Sequence, residues 1–262
     1  MRRTKFDNTS LTFIPVFALA LVSSVAWPAP RVEQLAPPLT ADEIASKLMQ
    51  SEDQRHNTPS EYSVTRRYVL NNKRFSKSAE MIVKALYRKG EGKTFQVLGV
   101  TGSADVSKRV FDKLLDMEAE ASKNEKIDPS RLTPDNYGFK LAGSDTLEGR
   151  RCYVLALTPK KKNKYLLEGK IWVDAQDFGV ARFEGRPASS LGFWVGRPQI
   201  VQSFQRVNGY WLSAQNQSVS DTRLLGTTEL KIEYSGYEFN IPETVRVAMR
   251  QQPHRAREFF SE

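Results

Sequence analysis

Residues Tyr153 to Gly185 read YVLALTPKKKNKYLLEGKIWVDAQDFGVARFEG. Apolar side chains alternate with polar or small ones in three runs: Tyr153-Leu155-Leu157, then Leu167, Ile171 and Val173 around Trp172, then Val180 to Phe183. A two-residue period marks a strand with one wet and one apolar face. A basic turn, Pro159 to Lys164, and a second turn, Asp174 to Gly179, separate the runs. Connections this short predict an antiparallel meander, because parallel strands need a crossover of about a dozen residues.

The same pattern extends in both directions. Toward the C-terminus, Gln199 to Val207, Tyr210 to Asp221 and Gly226 to Tyr237 read as strands, with the hairpin signal Asn208-Gly209 between the first two. Toward the N-terminus, Tyr137 to Leu141 precedes the Glu148-Gly149 turn, and Glu61 to Leu70, Ala79 to Tyr87 and Thr94 to Val100 form an earlier group. Two amphipathic helices complete the set. Thr40 to Ser51 opens on a capping box, Thr40 with Glu43, and Asp105 to Lys123 carries an apolar stripe that includes Leu114. About ten strands and two helices are predicted. So many antiparallel strands must curl, close or stack to hide one face, and two helices are too few to cover them. The expected fold class is α+β, mainly β: a strongly curved, half-open antiparallel barrel with a helical lid. A β-sandwich is the alternative.

Composition bounds the rest. Of 262 residues, 40% are hydrophobic and 26% charged, enough for a sizeable core. One cysteine, Cys152, excludes an internal disulfide, and two histidines leave little material for a metal site. Neither metal nor cofactor is expected. Residues 1–26 read as a signal peptide: Arg2, Arg3 and Lys5 precede an apolar run from Leu11 to Trp27, and Ser24-Val25-Ala26 supplies small residues for cleavage. An uncleaved anchor is the alternative. Residues 27–39 form a proline-rich leader, 40–240 the folded domain and 241–262 a basic tail, expected to be poorly ordered or loosely helical. Removing Met1 to Ala26 takes away Arg2, Arg3, Lys5 and Asp7, so the net charge falls from +9 to +7. A basic exported chain suits anionic surfaces such as phospholipid headgroups, and export disfavours nucleic acid. A monomer is expected.

Candidate functional residues follow from strand phase. Tyr62, Tyr68, Met81, Tyr87, Phe95 and Leu114 are read as lining an apolar cavity. Trp172, Phe193, Trp194, Trp211, Tyr234 and Tyr237 extend that lining, and a filled core made by the same aromatics is the alternative. Arg66 falls in phase with the apolar face of its strand, which costs free energy unless it is paired. It is read as a latch to a covering helix; a bulge turning it outward beside Arg67 is the alternative. Lys160, Lys161, Lys162 and Lys164 are read as a contact for an acidic membrane surface or a docking protein, against the simpler reading of a solvated hairpin tip. Cys152 reads as a small buried hydrophobe. Glu168 and Glu184 would make an acid–base pair only if they face each other across a cleft. No phosphate-binding glycine loop, nucleophile elbow or HExxH is present, so no enzyme is expected.

The stretch from Tyr153 to Lys160, followed by Gly169 to Asp174 and Val180 to Phe183, resembles the LolA-like periplasmic lipoprotein-carrier and lipoprotein-sorting superfamily. There a YxLxLxPK strand leads through a polar hairpin into an I-x-V-D strand and its partner. The resemblance implies a curved antiparallel half-barrel with a helical lid and a hydrophobic cavity. It implies carriage of lipoprotein acyl chains or other lipid across the periplasm, or their sensing in stress signalling through a protein partner, without catalysis. Carriers of this kind hold the lid with a barrel arginine. No local motif here matches that setting, so Arg66 is put forward on strand phase alone. The loop from Gly185 to Pro198, the longer chain and the basic tail depart from the family pattern.

Overall fold

In a computed structural model, residues 39–54, 59–103, 110–123, 131–191, 196–222, 226–244 and 246–247 are described. Helix α1 (Ala41–Gln54) comes first, then β1 (Glu61–Asn72), β2 (Lys77–Arg88) and β3 (Gly92–Gly102). Helix α2 (Asp112–Lys123) follows, and then seven strands: β4 (Tyr137–Leu147), β5 (Arg150–Pro159), β6 (Leu167–Asp174), β7 (Val180–Pro187), β8 (Gln199–Val207), β9 (Tyr210–Thr222) and β10 (Gly226–Glu238). The capping box forms as its residue types dictate. Glu43 accepts from the Thr40 amide at 2.8 Å, and the Glu43 amide donates to Thr40 Oγ1 at 3.3 Å. The part of the second predicted helix before Val110 lies outside the described residues.

All ten strands join one antiparallel sheet in the order β3-β2-β1-β10-β9-β8-β7-β6-β5-β4, so β3 and β4 are its edges and the sheet stays open. The sandwich alternative does not form. Because directly opposed residues share a face, the register traces a single row across the sheet. The row runs Val100, Met81, Tyr68, Ile232, Asn216, Gln202, Phe183, Ile171, Leu155 and Leu141. We call this the inner face. Register shifts interrupt five of the nine pairings. Such bulges bend a strand and increase its twist, which curves the sheet around the inner face.

Two apolar clusters share that face. One packs Tyr68, Met81, Val83 and Phe95 of β1–β3 beneath Phe111 and Leu115 of the α2 region. The other packs Leu155, Ile171, Val173 and Phe183 of β5–β7 beneath Ile44 and Leu48 of α1. A smaller third cluster lies on the outer face, where Cys152, Val154, Trp172 and Ala181 meet Leu147 and Trp211. Cys152 is fully buried there, and burial pushes its thiol pKa up. The first residues of the basic tail are held rather than loose: Ile241 is buried against Leu86, and Arg246 pairs with Glu61 at 2.6 Å.

Strict alternation of direction sorts the connections. Those between β1 and β2, β5 and β6, and β7 and β8 emerge at one end of the sheet, here the upper end. Those between β2 and β3, β4 and β5, β6 and β7, and β8 and β9 emerge at the lower end. Asn208 and Gly209, at φ 50 and 87, make the tight lower turn their sequence predicts.

Opposed glycines, Gly169 and Gly185, let β6 and β7 approach closely near the upper end. A Cβ on Gly185 would stand 2.1 Å from the Glu168 carbonyl oxygen, and one on Gly169 would stand 2.0 Å from that of Glu184. Neither obstacle is a movable side chain. Gly185→Val is therefore expected to cost about 2–3 kcal/mol in urea denaturation. Gly138→Ala, whose new Cβ meets only Thr158 O at 3.9 Å, serves as the near-neutral control.

Candidate functional site

Ten strands about 4.8 Å apart give an inner row about 43 Å long. Among the described residues, two helices, each about 10 Å across, cover roughly half of it. α1 takes the β5–β7 side and α2 the β1–β3 side. Between them lie β8, β9 and β10, whose described side chains are mostly half-buried. Their inner residues are of two kinds. β10 offers Leu230, Ile232 and Tyr234, which pack on the edge of the α2 cluster. β8 and β9 offer Gln202 and Asn216, hydrogen-bonded to each other at 2.5 Å, with Ser218 beside them opposite Ile200. We call the strip of inner face between the helices the trough; its described residues form an apolar side and an amide and hydroxyl side. Period-two reading of the sequence does not anticipate this polar side, because β9 (YWLSAQNQSVSDT) is polar on both faces.

Arg66 closes the α2 side. Its register partner is Tyr234, so it points inward, and it is 2% exposed. The outward-turning alternative does not occur. One terminal nitrogen, Nη1, donates to both Glu118 carboxylate oxygens at 2.8 Å and to the Tyr68 hydroxyl at 3.3 Å. Its guanidinium carbon lies 5.4 Å from the Phe95 ring and 5.0 Å from the Tyr234 ring, within cation–π range. Glu118 belongs to α2. Lys93 Nζ reaches the same carboxylate at 2.8 Å, and the Lys93 amide donates to Ser122 of α2 at 2.7 Å. Burial pushes the Glu118 carboxyl up, but Arg66 and Lys93 outweigh it and hold it at about 2. For Arg66, burial favours the neutral form and the facing carboxylate overrules it, so its pKa is raised.

The residues read as cavity lining fall into three groups. Tyr68, Met81 and Phe95 are 1% exposed or less and form packed core beneath α2. Leu114, Tyr62 and Tyr234 are half-buried at its margin, and the Tyr62 ring meets those of buried Tyr87 and of Tyr237 at a tilt, with centroids 5.1 and 5.7 Å away. Trp172 and Trp211 lie elsewhere. Trp172 stands one residue out of phase with inward Ile171 and Val173, and both rings join the outer Cys152 cluster. Each indole N–H there reaches an acid at 2.9 Å, Trp172 to Asp145 and Trp211 to Asp177. Asp174, fully buried, takes a bidentate contact from Arg150 at 2.6 and 2.8 Å and caps its own turn. Phe193 and Trp194 lie outside the described residues.

Glu168 and Glu184 border one shallow outer-face hollow with Lys170, Arg186 and Gln199. Each carboxylate is engaged by arginine, Glu168 by Arg197 at 2.7 Å and Glu184 by Arg182 at 2.7 Å. They do not form a free acid–base pair. Lys160, Lys161, Lys162 and Lys164 are all exposed on the β5–β6 turn.

A family model described only as an uncharacterized protein matches residues 117–245. No curated protein matches the sequence. Among solved structures, the chain is similar to a LolA-superfamily protein of Nitrosomonas europaea, at 14% identity and a TM-score of 0.43, over 79% of this chain and 97% of that one. It is similar to a DUF1329-family protein of Desulfovibrio piger, at 14% identity and a TM-score of 0.40, over 81% and 100% of the two chains. It is also similar to a domain of Vibrio parahaemolyticus described as an outer membrane lipoprotein-sorting protein, at 15% identity and a TM-score of 0.40, over 76% and 96%. The described residues themselves show the architecture that the Tyr153–Gly185 resemblance implies, a curved half-open antiparallel sheet with helices on its inner face.

Removing one partner of a buried ion pair strands the other charge. The Glu118 side chain is 31% exposed, so Glu118→Gln is expected to cost about 2 kcal/mol, less than a fully buried pair would. The double variant Arg66→Met/Glu118→Leu is expected to cost less than that single change. Because the folded Glu118 pKa lies below its free value of 4.5, its contribution is fully present above pH 4.5 and is lost as pH falls toward about 2. The stability difference between wild type and Glu118→Gln, read by urea unfolding across pH, is therefore expected to be flat above pH 4.5 and to vanish near pH 2.

Proposed function

We propose that this chain is a non-enzymatic, exported binding protein of the cell envelope. It shelters acyl chains of lipoproteins or other lipids on its inner face and so serves their sorting to the outer membrane. The observation that carries this reading is the trough: half-buried Leu230, Ile232 and Tyr234 run beside the Gln202–Asn216 amides. An acyl chain suits the first strip and a polar headgroup or ester the second.

The Arg66–Glu118 contact gives α2 the character of a lid. Lifting α2 would bare Tyr68, Met81 and Phe95, extending the apolar side. Arg66 Nε is buried with no hydrogen-bond partner among the described residues, so the closed arrangement carries a desolvation penalty that an opened one sheds. Loading and release then amount to a shift between lid-closed and lid-open populations, biased by cargo on one side and by an accepting partner on the other.

A second reading keeps the fold and changes the client: an envelope sensor or scaffold that binds a protein. Edge strand β4 favours it, since Lys140 to Thr146 are exposed and the edge has no strand partner in the sheet. A peptide could add there as an eleventh strand.

Native mass spectrometry of the chain purified without denaturation, together with titration of a soluble fluorescent fatty acid, separates the two. The carrier reading expects co-purifying lipid, binding weakened at least about tenfold by Ile232→Asp, and binding tightened several-fold by Glu118→Gln, which loosens the lid. An empty protein that binds no acyl probe in either form, and captures a partner lost when β4 is blocked by proline, would establish the second reading instead.

A further inference from the structure

The two ends of the sheet differ in chemistry. At the lower end the turns are short and close to neutral: Lys89 with Glu91, Glu148, Asp177, and Asn208-Gly209. None of the exposed large hydrophobic residues lies in these turns; Val247, 40% exposed, follows β10 at this end beside Arg246, which is paired with Glu61. At the upper end, residues 73–77 read KRFSK and residues 160–166 read KKKNKYL, with no Asp or Glu in either. Each segment carries an aromatic ring half out in water, Phe75 and Tyr165, both 51% exposed. Cations attend both rings: the Arg74 guanidinium lies 5.8 Å from Phe75, and Lys164 Nζ lies 5.0 Å from Tyr165. Leu191, 42% exposed, lies on a third connection at the same end.

Solubility and protection of hairpin tips account for the lysines but not for the rings, which gain nothing from water. Basic side chains interleaved with exposed aromatics match the interface of an anionic bilayer, where ammonium groups meet phosphate and rings settle at headgroup depth. The spacing argues for a broad plane rather than a pocket. The β1–β2 and β5–β6 turns sit on opposite arms of the sheet, with four strands between them, yet project from the same end.

We propose that the upper end of the sheet is a membrane-docking rim, with Lys160, Lys161, Lys162 and Lys164 as its electrostatic contact and Phe75 and Tyr165 as its shallow anchors on anionic phospholipid. Docking of this kind is reversible and salt-sensitive, and does not depend on what the trough holds.

Sedimentation of the purified full chain with phosphatidylcholine vesicles, with and without phosphatidylglycerol, tests the rim. Binding is expected only with phosphatidylglycerol, and is expected to weaken as the screening length shrinks from about 30 Å at 0.01 M salt to about 8 Å at 0.15 M. Reversing all four lysines (Lys160→Glu, Lys161→Glu, Lys162→Glu, Lys164→Glu) is expected to cost at least about tenfold in affinity. Phe75→Ser with Tyr165→Ser is expected to cost several-fold without changing the salt dependence. Lys89→Glu, at the other end, is expected to change nothing. Every variant lies in an exposed turn and keeps the same N-terminus, so neither unfolding nor an N-terminal anchor can mimic the result. Unaltered binding of the soluble fatty acid by the rim variants keeps this result separate from the trough reading. Equal binding to both vesicles, or no binding, overturns the proposal, and loss of an acidic protein partner without any vesicle effect would make the rim a protein dock.

Discussion

An apolar sheet face must be hidden from water, and among the described residues ten strands share one face while two short helices cover it. That mismatch of areas organises the molecule. Curvature, driven by register shifts in five of the nine pairings, folds the row toward itself. Each helix then completes a compact cluster at its own arm. What remains between them is solved by composition rather than by cover: β8 and β9 turn polar, so Gln202 and Asn216 satisfy each other where Phe183 and Ile232 stand on either side of them in the row.

The Arg66–Glu118 contact sits at the junction of these solutions. A helix held by apolar packing alone would slide or lift with a smooth energy change, whereas a buried charge pair has one good position and a poor neighbourhood around it. Two aromatic faces, a tyrosine hydroxyl and Lys93 on the same carboxylate define that position. The outer face carries its own counterpart in Arg150 and buried Asp174, which fixes the β6–β7 hairpin, while α1 meets the same turn at Phe178 through Ser51 and Lys47. One pair sets the place of a helix and the other the geometry of a turn.

Much of this was legible in the residues. Alternation in Tyr153 to Gly185 gave the meander, Asn208-Gly209 gave its hairpin, and Thr40 with Glu43 gave the start of α1, because each signal is local. Phase alone also marked Arg66 as inward. Phase misled for Trp172, where three consecutive apolar residues, Ile171 to Val173, offer both faces something to bury and only the partner strands decide between them. Trp211 joins the outer cluster through the β6–β7 turn, against Gly179 and Asp177, contacts that no local signal in β9 carries. The polar side of the trough escaped for a different reason: Gln and Asn on a strand read as solvent-facing until the register shows which residues lie beside them.

The placement of the indoles has a practical side. Trp172 and Trp211 are both clamped to acids on the back of the sheet, while the inner face near α2 is populated by tyrosine and phenylalanine. Their emission therefore reports the tightness of the β6–β7 region. A spectroscopic view of events beneath α2 calls for a reporter built into that helix, with Leu114 the natural place for it.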